Sequence, residues 1–129
     1  MAANYSFGKK EHLKSNLSIQ DLLKNGQTVS GYPLKIYWKI SSDNHQKSSV
    51  RVALSVPKRK FKRAVDRNLI KRRIRESYRL NKYILVNPLR DKELNVIMII
   101  LFLSDEFISF DSVDALICKL LHKLVKNLP

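Results

Sequence analysis

The sequence predicts an α/β chain, an α+β sandwich in which a single sheet carries helices packed on it in the order αββαβα. Three patterns carry that prediction. Two stretches, from Leu34 to Ile40 and from Val50 to Val56, alternate apolar and polar residues with the period of a half-buried strand. Leu94 to Phe102 is almost unbroken hydrophobic sequence, as in a strand covered on both faces. From about Phe110 to Leu128, Val113, Leu116, Ile117, Leu120, Leu121, Leu124, Val125 and Leu128 recur at the spacing of a helix lying on a core, with Ser109 or Asp111 as its cap.

In chain order, residues 1 to 16 are polar, basic and aperiodic, and read as a flexible arm ahead of a single α/β domain over residues 17–129. SNLSIQDLLKNG then gives a short helix, with Ser18 as cap, Asp21 at its third position and Gly26 as a left-handed stop. Leu17, Leu22 and Leu23 are expected to pack, with Ile19 on a neighbouring face. From Val29 to Ile40 one strand follows, its early part interrupted by Gly31 and Pro33 as a bulge or late start. Leu34, Ile36, Trp38 and Ile40 point inward, and Lys35, Tyr37 and Lys39 form a row on the other face. The polar loop SSDNHQKSS reads as a hairpin connection to the second strand, where Val50, Val52, Leu54 and Val56 point in and Arg51, Ala53 and Ser55 out. Pro57 closes that strand. After a basic segment and its helix, to about Lys82, a connector containing Pro88 leads into the apolar strand.

A chain of 129 residues can bury one core, and 44% hydrophobic residues is ordinary for a globular protein. Its net charge of +14 points to nucleic acid or another polyanion as partner. A membrane surface fits less well, because the basic helix has no broad Trp/Phe/Leu face. The longest apolar run, Val96 to Leu103, is too short to span a bilayer, and the N-terminal residues lack a signal-peptide core. The single cysteine, Cys118, excludes an internal disulfide and reads as a buried thiol in a reducing, cytoplasmic setting.

The charge is concentrated. Between Lys58 and Arg79 stand eleven Lys or Arg against two acids, Asp66 and Glu76, so +9 of the +14 lies there. On a helix opened by Asp66 as N-cap, Arg67, Asn68, Lys71, Arg72, Arg75 and Arg79 share an arc of roughly 140°, with Ile70 and Ile74 on the far side. A solvated basic face is the ordinary alternative, but such faces mix signs at i, i+4, and this one hardly does. Repulsion among so many cations is relieved by a polyanion, and the planar fork of Arg matches phosphate. Arg59, Lys60, Lys62 and Arg63 extend the charge ahead of the helix.

Catalytic chemistry is not visible. His12, His45 and His122 have no second ligand at a usable spacing, and Asp105, Glu106, Asp111 and Asp114 read as loop and cap residues. With three glycines there is no phosphate-cradling Gly loop. The expectation is an RNA- or DNA-binding protein with no catalytic residues and no metal ligands of its own.

The run RVALSVPKRKFKRAVDRNLIKRRIRESYRLNK, Arg51 to Lys82, resembles the signature region of the bacterial ribonuclease P protein family, whose pattern includes R-N-R-x-K-R-x-x-R-E. The likeness covers about residues 17 to 128. It implies the ribonuclease P protein-like (ribosomal protein domain-like) fold and a protein cofactor of a ribonucleoprotein enzyme. In this family the catalytic RNA, with its magnesium ions, removes the 5′ leader of precursor tRNA by endonucleolytic cleavage. The protein contributes binding to both RNAs, and a charge of +14, by lowering the repulsion between them, is expected to lower the magnesium requirement. The family's RNA-contacting helix carries over to Arg67, Asn68, Lys71, Arg72 and Arg75, and its leader cleft to Tyr37, Ser55, Lys58, Ile19 and Leu23. No tightly bound cofactor and no protein partner are implied.

Three departures stand out. Ile19 and Leu23 occupy positions where the family often has aromatic rings, leaving Tyr37, Tyr32 or Trp38 to supply stacking. Leu69 replaces the second Arg of R-N-R, at a place turned toward solvent, with one phosphate contact fewer. Phe61 stands near the usual Gly of a loop that is one residue longer here. A ribosomal or ribosome-assembly RNA-binding protein is the alternative reading, and a metal-dependent nuclease acting alone the third.

Overall fold

The computed structural model describes residues 16–41 and 50–129. Helix α1 spans Asn16–Asn25 and is followed at once by strand β1, Gln27–Gly31. Gly26 joins them because a side chain would not fit: a Cβ there would lie 2.4 Å from the Leu22 carbonyl oxygen and 2.8 Å from Leu22 Cδ1. Neither Gly26 nor Gly31 has a positive φ, so Gly26 is not the left-handed stop expected. Nor is Ser18 the cap, since the helix already begins at Asn16. Leu22 is fully enclosed while Leu23 is 45% exposed, a correction to the expectation that both pack.

The stretch expected as one interrupted strand is a hairpin. β1 turns through Tyr32 and Pro33, joined by a cis peptide, into β2, Leu34–Ser41. Val29 pairs with Ile36 and Gly31 with Leu34. Strand β3, Val50–Ser55, does not extend this hairpin, because the sheet order is β1-β2-β4-β3. The central β4, Asn95–Phe102, runs antiparallel to β2 and parallel to β3, so the connection after β2 is not the expected hairpin loop. That loop and the arm before Asn16, with His12 and His45, lie outside the described residues. β4 is buried along nearly its whole length, as its unbroken apolar run requires.

Between β3 and β4 run two helices. α2 covers Ala64–Asn81, opening at Arg63, so Asp66 is its third residue and not its N-cap. The carboxylate still sits in the first turn, where the helix dipole favours it. The expected connector is helix α3, Tyr83–Lys92, with Pro88 inside it and Ile84, Leu85 and Leu89 buried. It ends at Glu93 in the left-handed conformation, φ 55°. α4, Phe110–Lys126, is capped by Ser109, whose hydroxyl accepts from the Ser112 N–H at 3.2 Å.

One core lies between the sheet and the helices α2, α3 and α4. Ile36, Trp38, Val52, Met98, Ile100, Ile70, Ile74, Tyr78, Leu85, Ile117 and Leu121 meet in it. The Trp38 indole N–H finds no partner among the described residues, a cost of about 1–3 kcal/mol. Burying the ring contributes about 4–6 kcal/mol, so the site remains favourable. Cys118 is a half-buried free thiol against this core rather than a fully buried one. On the other face of the sheet a smaller cluster of Leu22, Ile97 and Ile99, joined by Ile19, Tyr37, Ala53 and Leu101, seats α1. The α/β class and the single sheet stand as the sequence predicts, with β1 and α3 as additional elements.

Candidate nucleic-acid interface

On the face of the sheet that seats α1, the strand registers set the side chains in three cross-strand rows. Thr28, Tyr37, Ile99 and Ala53 form the middle one; Ser30, Lys35, Leu101 and Ser55 lie to one side, Lys39, Ile97 and Arg51 to the other. Apolar β4 thus forms the floor, and β2 and β3 supply cations and hydroxyls at its edges. Lys35 Nζ lies 4.9 Å from the centroid of the Tyr37 ring, within cation–π range. Lys39 is bonded to Asp21 of α1 and so ties the helix to the sheet. Lys39, with Asn25 donating at 2.8 Å, holds the Asp21 carboxyl below its usual range. Ile19 and Tyr37 are both half-buried against the Leu22, Ile97 and Ile99 cluster, but Leu23 is outside it and faces solvent. Tyr32, at the hairpin turn, is 73% exposed, whereas Trp38 is wholly in the core.

Ser55 ends β3, and the chain passes through Lys58, Arg59, Lys60, Lys62 and Arg63 into α2. Lys58, Arg59, Lys62 and Arg63 are exposed, and Lys60 is half-buried. Phe61 between them is buried, its ring centroid 6.0 Å from that of Phe102 and 5.2 Å from that of Phe107. It is the anchor of the loop. The sequence signalled it only as a lone aromatic in a run of cations.

On α2 the arc expected to meet RNA divides. Asn68, Arg72 and Arg75 are exposed and Lys71 is half-buried. Arg67 is half-buried, with Nη1 donating to the carbonyls of Phe61 at 2.8 Å and Lys62 at 3.0 Å. Arg79 pairs with Glu76 through Nε at 3.1 Å and again through Nη2, which holds the Glu76 carboxyl below its usual range. Leu69 is half-buried rather than turned out. Arg73, outside the expected arc, donates to the Ile108 carbonyl at 2.6 Å and pins the segment ahead of α4. Its signal was its position beside Ile70 on the inward side of the wheel.

The described residues hold no group of three or more His, Cys, Asp or Glu able to bind a metal ion, and no helix long and apolar enough to cross a membrane. A Tyr-bearing sheet face and a cationic helix on opposite sides of one sheet, joined by a basic loop, define an RNA-binding α/β protein. Residues 7–125 match the family model described as Ribonuclease P. The ribonuclease P protein component of Porphyromonas gingivalis is 32% identical over 127 residues, covering 98% of this chain and 92% of that one. The solved RNase P protein of Staphylococcus aureus, in a mutant form with defective mRNA degradation activity, is 24% identical with a TM-score of 0.69, over 92% of this chain and 90% of that one. The Thermotoga maritima protein also gives 0.69, at 21% identity over 88% of this chain and 96% of that one. At those identities the two structures speak for the fold. The chain belongs to the ribonuclease P protein family.

Proposed function

We propose that this chain is the protein component of a ribonuclease P ribonucleoprotein, whose RNA subunit carries the chemistry and the magnesium ions while the protein binds. Its substrate is precursor tRNA, from which the 5′ leader is removed. The observation that carries this reading is the placement of a sheet face bearing Tyr37 and Lys35 and a cationic helix on opposite sides of one sheet, joined through Ser55 and the basic loop that follows it. Such a body can touch two RNAs at once and lower the repulsion between them.

On this reading Asn68, Lys71, Arg72 and Arg75 meet the catalytic RNA, with Arg59, Lys60, Lys62 and Arg63 adding backbone contacts. The leader lies along the sheet face, where Tyr37 offers a stacking surface and Ser55 and Lys58 bind sugar or phosphate. Ile19 contributes an apolar wall beside Tyr37, and exposed Leu23 stands at the rim.

The test is cleavage of a precursor tRNA by the matching catalytic RNA at low magnesium, with and without the protein, beside a protein-only control. Cleavage restored only in the mixture is the expected result. RNA binding without stimulation would instead favour a ribosomal or assembly role.

A further inference from the structure

The loop from Lys58 to Arg63 packs five cations into six residues, a density that by itself pushes a chain apart. It is nonetheless held at three points. The N–H groups of Lys60 and Phe61 donate to the Pro57 carbonyl at 3.1 and 3.3 Å. Phe61, 6% exposed, plugs the loop onto Phe102 at the end of β4 and onto Phe107. Arg67, on the first turn of α2, reaches back with Nη1 to the carbonyls of Phe61 and Lys62. Arg73, bonded to the Ile108 carbonyl, steadies the segment that carries Phe107.

We propose that Arg67 is a positioning residue: with Phe61 it sets the shape in which Lys58, Arg59, Lys62 and Arg63 meet RNA, and it is not itself one of the phosphate contacts. Turning Nη1 toward a phosphate would abandon two carbonyls, and each charge-assisted bond lost is worth more than a neutral one. The helix geometry agrees, since Arg67 falls only about 20° from Ile74 around α2, at the edge of the buried side. The consequence for RNA rests on the function proposed above; the ordering of the loop does not.

The experiment compares Arg67→Ala, Arg72→Ala and Phe61→Leu in the full chain, with two readouts. The first is amide hydrogen exchange of the free protein. Arg67→Ala is expected to speed exchange at Lys60 and Phe61 by about tenfold or more, the loss of two charge-assisted bonds, while Arg72→Ala leaves it unchanged. Unchanged exchange in Arg67→Ala overturns the proposal.

The second readout is the salt dependence of binding to the catalytic RNA. One phosphate contact is worth about 0.7–0.9 of a log unit in affinity per tenfold change in salt. Arg67→Ala should reduce the slope by at least two such contacts although it removes one charge, and Phe61→Leu should reduce it although it removes none. A drop of one contact in Arg67→Ala with a parental slope in Phe61→Leu makes Arg67 an ordinary phosphate ligand and overturns the proposal. Should none of the three variants, Arg72→Ala included, change RNA binding, the assignment of the RNA surface fails, and the exchange rates alone decide the role of Arg67.

Discussion

Ser77 of α2, with no exposed surface, donates its hydroxyl to Asp114 Oδ1 of α4 at 2.8 Å. Asn81, one turn on, donates to the same oxygen at 2.7 Å and to the Ser77 carbonyl at 2.8 Å. This three-residue bridge fixes how the basic helix α2 sits on the core. Asp114→Ala takes from the buried Ser77 hydroxyl and from Asn81 the oxygen both donate to, and is expected to lower stability by about 1–3 kcal/mol. Urea denaturation measures that loss. RNA affinity under conditions where the variant is folded should change less than twofold, and a parental unfolding midpoint would show the bridge to be energetically idle.

Arg72 and Arg79 lie on the same arc of α2 but in different company. Arg72 is exposed, while the Arg79 guanidinium is engaged with Glu76. Arg72→Ala is therefore expected to weaken assembly with the catalytic RNA more than Arg79→Ala, and to reduce the salt slope by about one phosphate contact. Its stability should stay within about 0.5 kcal/mol of the parent, as for most surface changes. Equal losses from the two variants in a filter-binding titration would count against the assignment of this face.

The elements legible in the sequence were those whose pattern depends on one face alone. The Leu stripe of α4 and the alternation of β2 and β3 name a buried side, and the buried residues bear them out. Pairing partners were not legible, because alternation gives a strand's face and not its neighbour; nothing in it announces that β4 lies between β2 and β3. The β1 hairpin left a trace in phase. Val29 is buried at an odd position and Leu34, Ile36 and Trp38 at even ones, a shift that a turn at Tyr32–Pro33 explains and a bulge only mimics. α3 was hidden by Pro88, although Ile84, Leu85 and Leu89 already had helical spacing. On the basic helix the wheel separated Asn68, Arg72 and Arg75 from Ile70 and Ile74. It could not tell that Arg67, at the boundary, turns back to two carbonyls of its own loop.

The bond between Lys39 and Asp21 makes the seat of α1 sensitive to acid. Lys39 and Asn25 hold the Asp21 carboxyl below the ordinary aspartate value of 3.8. A carboxyl depressed in the folded state contributes stability above its unfolded pKa and loses it as pH falls through the folded one. The contribution is thus complete at neutral pH and disappears below about pH 3.8. Both side chains are well exposed, at 36% and 40%, so the effect is small and screened by salt. A carboxyl titration followed by NMR should place Asp21 below free aspartate, and Asp21→Asn should remove the acid-dependent loosening of α1. A midpoint at or above 3.8 would sink the argument.

Tyr37 is the aromatic ring on the sheet face that seats α1, half-buried between the Lys35 and Lys39 rows, with Ile99 as its partner on β4. A base stacked there gains about 1–3 kcal/mol, so Tyr37→Leu, which keeps an apolar side chain against the Leu22, Ile97 and Ile99 cluster, should weaken binding of leader-bearing precursor tRNA by roughly fivefold to a hundredfold. Mature tRNA has no leader to place on this face, and its affinity for the assembled enzyme should not change. The ratio of the two affinities is the informative quantity, because a general loss of structure or assembly lowers both. Lys35 sharpens the test, since its ammonium already lies over the ring and an arriving base must displace it or use the opposite face. Lys35→Ala is accordingly expected to cost less affinity for the precursor than one phosphate contact, the lost charge being partly offset by a freed ring. Equal loss for precursor and mature tRNA in Tyr37→Leu would move the leader off this face of the sheet.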